Sequence, residues 1–285
     1  MSFARDVLEP ILRDMSGGLG SMFGLNLTDV LQSPEEYSAS TAALMVTISD
    51  TIVMPAATLI LVVLFMLELV RIGMRTDGDG ETFAKTAFFT LVKFVMLKLI
   101  FESTHVVMQG IYALFAEMAS QANTITAVTT GVGSDQLNGF LTSVDDMDWL
   151  GQTVLIIFML LAWLVNKGAM IAALALVVVR FVKLYIFAAF APAPIAMFAT
   201  QETRTFGVGF LRNYAAIVLQ ALVLVLAFAI YQTVTSTWAG SAFANLDGNA
   251  VTAALSISGS FIMMGVVLGM VVLGSGRIAS ELLGN

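Results

Sequence analysis

Long apolar runs separated by short polar stretches dominate this chain. The runs cover about residues 50–70, 82–100, 149–179, 211–233 and 252–273. Crossing a bilayer core of about 30 Å takes about 20 helical residues, and each run is close to or above that length. The runs are too long and too uniform for the alternation of a β-barrel. The pattern predicts an all-α membrane protein with about five transmembrane helices. Residues 184–198 break it. This apolar stretch is only 15 residues long and holds Pro192 and Pro194 in its second half. Each proline removes a backbone donor and pushes the residue before it toward an extended conformation. The stretch reads as a Pro-broken re-entrant or interfacial segment. Inside a membrane it would need shelter from protein or water, because lipid cannot satisfy freed backbone groups.

The same pattern divides the chain. Residues 1–48 form an extracytoplasmic amphipathic tail: a short amphipathic piece over 3–15, a Gly-rich break over 17–24 and a capped turn near Thr28. Residues 49–120 form a first helical hairpin with an amphipathic extension over 101–120. Pro55 falls in the hairpin's first turn, where proline is tolerated. Glu68 and Arg71, three apart, are placed to pair. Residues 121–148 are an acidic outer loop with Asp135, Asp145, Asp146 and Asp148 and no Lys or Arg. Residues 149–285 are a membrane core that includes the re-entrant segment 184–198 and a Gly-rich last helix. The run 149–179 would be about 45 Å long as a helix, so it must tilt, kink at Gly168 or project. A rival six-pass reading turns the chain at Asn166-Lys167-Gly168 and lets 170–195 cross.

Charge sets the orientation. Basic residues accumulate on the cytoplasmic side of membrane proteins. With the tail outside and five crossings, Arg71, Arg75, Lys85, Arg180, Lys183, Arg204, Arg212 and Arg277 all fall inside, against Arg5 and Arg13 outside. The two loops without Lys or Arg, 121–148 and 236–251, then both lie outside, with Trp149 and Trp238 at the outer headgroup level. The N-terminus is expected outside and the C-terminus in the cytoplasm.

Composition narrows the chemistry. Hydrophobic residues make up 58% of the chain and charged residues 12%, about half the charged fraction of a soluble domain. The net charge of −7 argues against a broad nucleic-acid-binding face. With no cysteine and His105 the sole histidine, thiolate and multi-His metal centres are excluded within one chain. No nucleophile–base spacing, phosphate-binding glycine loop or paired intramembrane carboxylates occurs. The expectation is a protein that is not an enzyme and uses no cofactor or metal.

The charged residues inside the apolar runs are the candidate functional positions. Lys98, Glu102, His105 and Gln109 recur at steps of four, three and four, on one helical face. Lys93 and Lys167 also fall within membrane segments. Two readings stay open: an i,i+4 pair of Lys98 and Glu102 with His105 and Gln109 in water, or a polar stripe facing a lumen or a subunit interface. In the last helix, Ser256, Ser260, Gly265 and Gly269 give small-residue spacing that suits close helix packing, within the chain or between copies.

These residues together carry a family resemblance. Val46-Thr47-Ile48-Ser49 precedes a proline-initiated helix, residues 65–71 end it with Glu68, and a Lys-bearing helix follows. The stretch 180–196 with its Pro192/Pro194 pair leads to Glu202-Thr203-Arg204 and to Arg212-Asn213-Tyr214. Over about residues 40–235 this order resembles the TrbL family, polytopic inner-membrane components of conjugative type IV secretion machines, and particularly its short Gram-positive branch. The resemblance implies an oligomeric channel subunit in the bacterial cell membrane. Its partners would be other channel subunits, further copies of itself, lipid and, transiently, a single-stranded DNA–protein substrate. It carries over no catalytic residues. It marks the segment with Arg180, Lys183, Pro192, Pro194, Arg204 and Arg212 as a docking or gating element. Two other functions stay open: a small-solute secondary transporter, which also uses broken helices but normally shows internal repeats, and a scaffold or chaperone for other subunits.

Overall fold

The structure, a computed structural model, describes residues 3–16, 32–76, 80–126, 134–145, 147–244 and 250–284. The described residues fold as helices joined by turns: α1 (Phe3–Ser16), α2 (Pro34–Tyr37), α3 (Ala39–Ile48), α4 (Met54–Arg75), α5 (Gly80–Glu102), α6 (Thr104–Thr126), α7 (Ser134–Asp145), α8 (Trp149–Phe190), α9 (Pro192–Ala196), α10 (Arg204–Ala244) and α11 (Ala250–Leu282). A π-helical turn, Ser49–Val53, joins α3 to α4 without ending the rod, and a 3₁₀ turn, Met197–Ala199, follows α9. Among the described residues, four stretches are long and apolar enough to cross a membrane: Ala39–Arg75, Trp149–Phe190, Arg204–Tyr231 and Ser258–Leu282. The fifth expected crossing, 82–100, is helical as α5. Lys85, Lys93 and Lys98 inside its apolar stretch set it apart from those four. This is an all-α membrane protein.

Several boundaries differ from the sequence reading, each for a local reason. The first membrane rod starts at Ala39 rather than near 50, because the Ser38 hydroxyl accepts from the Thr41 amide and caps the earlier start. The third apolar helix does not stop near Val179. Residues 180–190 continue α8, because Arg180, Phe181, Leu184, Tyr185 and Ala189 repeat at helical spacing and are buried together. No turn interrupts α8 at Asn166-Lys167-Gly168, so the turn that the six-pass reading required is absent. Gly168 is accommodated without a break. At 42 residues, α8 would measure roughly 63 Å. The helix breaks instead at Ala191, just before Pro192. The acidic stretch 121–148 is largely helical: α6 runs on to Thr126, and α7 forms because Phe140, Leu141 and Val144 give it a buried face. The stretch 236–251 is helical up to Ala244. The Gly-rich break at 17–24, Thr28, the side chains of Asp135 and Trp238, and Asp146 lie outside the described residues.

The chain divides into two compact units. One comprises Met1–Leu31, Glu117–Val179 and Gln220–Ala279; the other comprises Gln32–Ala116, Arg180–Leu219 and Ser280–Asn285. In the first, α1 and α7 pack on the N-terminal half of α8 around Leu8, Phe140, Leu141, Leu155 and Met159, all buried, with Phe261 of α11 closing the cluster. Deeper along α8, buried Asn166 donates to the carbonyls of Ala162 and Phe261 at 2.9 and 3.2 Å and accepts from the Tyr231 hydroxyl at 2.6 Å. Gly265 lies against it, where a Cβ would sit 3.0 Å from the Asn166 amide. The small-residue spacing of the last helix therefore serves close packing of α11 on α8 at Gly265. A Cβ at Gly269 would meet Ala169 at an ordinary 3.7 Å, and the Ser260 hydroxyl bonds back to the Ser256 carbonyl at 2.9 Å within the helix.

In the second unit, α2 seats on the end of α8. Tyr37 stacks on Phe181 with centroids 3.9 Å apart, and the Tyr185 hydroxyl donates to the Pro34 carbonyl at 2.5 Å. Pro34 opens α2 behind a capping box in which Ser33 and Glu36 satisfy each other's backbone amides. The helices α4 and α5 form a hairpin, and α9 packs against both of them and against the π-helical turn.

A proline segment clamped in a helical hairpin

The chemistry of the second unit centres on α9 and the turn after it. Pro192 occupies the first position of α9, where its missing N–H is not needed. The short helix then buries Ile195 and Ala196, and the 3₁₀ turn buries Ala199, among Ala57, Leu61, Phe94 and Phe101 of the α4–α5 hairpin. Two carbonyls at the end of this broken segment meet side-chain donors. The Lys93 ammonium donates to the Ala199 carbonyl at 2.7 Å, capping the end of the turn. The Thr203 hydroxyl donates to the Met197 carbonyl at 2.5 Å. Arg71 is shared: its guanidinium lies 3.0 Å from Glu68 and 2.8 Å from Glu202. The Glu68–Arg71 pair read from spacing is present, and Glu202 joins it from the far side of the proline turn.

The capping contact gives a direct expectation. A hydrogen bond from a charged donor is worth about 1.5–3 kcal/mol, while a lysine near the bilayer centre opposes insertion by ~2.5–3.5 kcal/mol. Lys93→Met should therefore leave the amount of inserted protein unchanged or higher while loosening the turn. The measurement is trypsin cleavage after exposed Arg204 in native membranes, expected to rise about tenfold. An unchanged cleavage rate would show that Lys93 does not hold the turn.

The predicted polar stripe is not one surface. The helix breaks at Ser103 between α5 and α6. Lys98 and Glu102 form the i,i+4 pair at 3.6 Å, with both side chains more than half exposed. His105 reaches Asp50 at 3.4 Å, and Gln109 donates to Glu35 at 2.7 Å. Both line a cavity of about 280 Å³ between α2, α3, α6, α8 and α10 that also includes Met45, Met108, Tyr112, Tyr185 and Tyr214. Lys167 belongs to the first unit and pairs with Asp14 at 2.6 Å.

Arg180 is the site's most buried charge, 1% exposed. Its Nε donates to the Ile217 carbonyl at 3.2 Å, and its guanidinium lies within hydrogen-bonding reach of the Tyr112 hydroxyl. Tyr112 donates in turn to the Gln32 carbonyl, and burial pushes its phenol above the ordinary range, so it stays a neutral donor. The Tyr214 hydroxyl donates to the Met108 carbonyl at 3.3 Å. Tyr112, Tyr185 and Glu35 were not singled out by sequence, since nothing local signals which of them meet. Lys183 and Arg204 are exposed, and Arg212 donates to the Gly284 carbonyl at 3.2 Å. The site therefore unites Pro192, Lys93 and Arg71, whereas Lys98, Lys183 and Arg204 stay at the surface. Among the described residues no group of three or more His, Asp or Glu side chains is placed to hold a metal ion.

A family described as TrbL/VirB6 plasmid conjugal transfer like protein matches residues 23–192, more than half of the chain, including the α4–α5 hairpin and ending at the first proline of the clamped segment. No curated protein and no solved structure matches the chain significantly.

Proposed function

We propose a function from one premise: the chain belongs to the TrbL/VirB6 family of plasmid conjugal transfer proteins. It is a multi-pass membrane component of a conjugal, type IV secretion machine, a complex of several subunits. On our reading it is an oligomeric wall element of the channel in the bacterial cell membrane, and it aids passage of a single-stranded DNA–protein substrate without catalysing any step. The N-terminus lies outside and the C-terminus in the cytoplasm.

The observation that carries this reading is the clamped proline segment. A helical bundle that only anchored its neighbours would have no use for a backbone break buried in a hairpin, capped by Lys93 at the Ala199 carbonyl and followed by the Arg71–Glu202 ion pair. Such irregular backbone at membrane depth belongs where protein or a cavity shelters it, and it suits a docking or gating element. A transporter would use broken helices too, but the two halves of this chain show no repeat.

The test is genetic and biochemical. Removing the chain should abolish plasmid transfer. Restoring it with Pro192→Ala and Pro194→Ala together should rebuild the complex, seen by crosslinking in native membranes, yet leave transfer at least tenfold below the unaltered chain. The proposal fails if the purified protein runs as a monomer beside its partner proteins, or if the double variant transfers normally.

A further inference from the structure

The N-terminal helix α1 sits where a solvated tail would not. Its buried residues Ala4, Leu8, Ile11 and Leu12 follow helical spacing and pack on Leu155, Met159 and Ala162 of α8. Arg5, near one end of α1, pairs with Asp145 at the end of α7 at 3.2 Å. Asp14, near the other end, accepts from the Trp163 indole at 2.7 Å and pairs with Lys167 at 2.6 Å. The helix α1, 14 residues and about 21 Å long, therefore lies along α8 between Leu155 and Lys167, over much of the depth of a bilayer core. The opposite side of that stretch of α8 is exposed and apolar, with Ile157, Leu160, Leu161 and Leu164 uncovered. Its exposed apolar character suits contact with lipid.

The outward side of α1 has the reverse character. Asp6 and Arg13 are exposed, and Glu9 pairs with Arg13 at 2.8 Å on the same side. Each charge facing lipid at the bilayer centre would cost ~2.5–3.5 kcal/mol. A second feature is independent of charge. Exposed Pro10 lies inside the helix and removes the N–H to which the Asp6 carbonyl would otherwise bond. A carbonyl left open on that side is tolerated by water and not by hydrocarbon.

We infer that the face of α1 bearing Asp6, Glu9, Pro10 and Arg13 borders a water-filled space at membrane depth, with lipid on the far side of α8. The inference deepens the channel reading, on which it rests for what the space carries, by assigning α1 as a lining helix. The chain contains no cysteine, so single cysteines report cleanly. Asp6→Cys, Glu9→Cys, Arg13→Cys and, on the apolar side, Leu164→Cys would be exposed to a membrane-impermeant maleimide in native membranes holding the assembled machine. Each variant that reaches wild-type levels in the membrane is read, and three α1 positions guard against one that fails to fold. Positions 6, 9 and 13 are expected to label at least tenfold faster than 164. Equal, slow labelling at all four would overturn the inference, because lipid or protein would then cover α1. Fast labelling at 164 would overturn it as well, because that half of α8 would then stand in water. Transfer frequency is measured separately, so a failed channel function is distinguishable from a dry α1.

Discussion

Adding one methyl group at Gly207 is expected to destabilise the protein, whereas the same change two residues on, Gly209→Ala, is expected to leave stability unchanged or raise it. Both glycines lie in α10, and helix propensity alone favours alanine over glycine by about 1 kcal/mol at each. What separates them is the neighbour. A Cβ at Gly207 would sit 2.5 Å from the Phe198 ring and 2.8 Å from the Pro194 carbonyl, while one at Gly209 meets nothing within 4 Å. The ring could swing aside. The Pro194 carbonyl cannot move alone, since it is backbone of the α9 segment wedged in the α4–α5 hairpin. Overpacking of this kind costs typically 1–3 kcal/mol, which outweighs the propensity gain. Thermal unfolding in detergent, followed by size-exclusion of the surviving monodisperse fraction, should show Gly207→Ala below the wild type and Gly209→Ala at or above it. Because the clash falls on the clamped segment, Gly207→Ala should also increase cleavage after Arg204, as Lys93→Met does. Matching behaviour of the two glycine variants would mean that α10 does not press on the proline turn.

How far the fold could be read in the sequence depends on the range of the cause. The apolar runs marked where α4, α5, α8, α10 and α11 lie, because hydropathy over about 20 residues is a local property. The family pattern was readable for the same reason: the Pro192/Pro194 pair, Glu68 with Arg71 and the lysines of α5 are adjacent marks on the chain. Helix ends were read less well. Arg180 and Lys183 looked like a membrane boundary by charge, yet Arg180 turns into the interior against the Ile217 carbonyl while Lys183 stays exposed. A positive-inside count cannot distinguish these, since it counts charges without their partners. The helix α7 was hidden because a 12-residue amphipathic helix among acidic residues has no hydropathy signal, only the short Phe140, Leu141, Val144 register.

The clamp was half legible. Two prolines two apart had to be sheltered, but nothing in the sequence says that Lys93 caps Ala199 or that Arg71 reaches Glu202, 131 positions away. Gly207 escaped notice for a related reason. The Gly265/Gly269 spacing invited a packing interpretation, and only Gly265 is in tight contact, while the closest backbone approach belongs to an isolated glycine with no motif around it. Contacts of this kind follow from how distant helices meet, which periodicity does not encode.

The other large effect is expected at Asp14. Lys167 lies mid-way along a membrane-spanning helix, and its neutralising partner comes from α1, at 2.6 Å with both side chains less than a quarter exposed. Asp14→Ala removes that partner and also the acceptor of the Trp163 indole. Breaking one half of a buried ion pair costs about 3–5 kcal/mol, and residual exposure here brings the expectation to about 2–3 kcal/mol. Lys167→Met should cost less. It leaves a carboxylate that still accepts from Trp163, and it removes an ammonium that also lies 5.3 Å from the Trp163 ring centre. The double variant, Asp14→Ala with Lys167→Met, should be more stable than Asp14→Ala alone, since replacing both members of a buried pair by apolar groups is often near neutral. Thermal midpoints of the four proteins in one detergent give the coupling directly. A coupling of at least 1 kcal/mol would identify the pair as the fastening of α1 to α8. Additive losses would mean that Asp14 and Lys167 act apart and that α1 is held on α8 without their pairing, chiefly through Leu8, Ile11 and Leu12 against Leu155 and Met159.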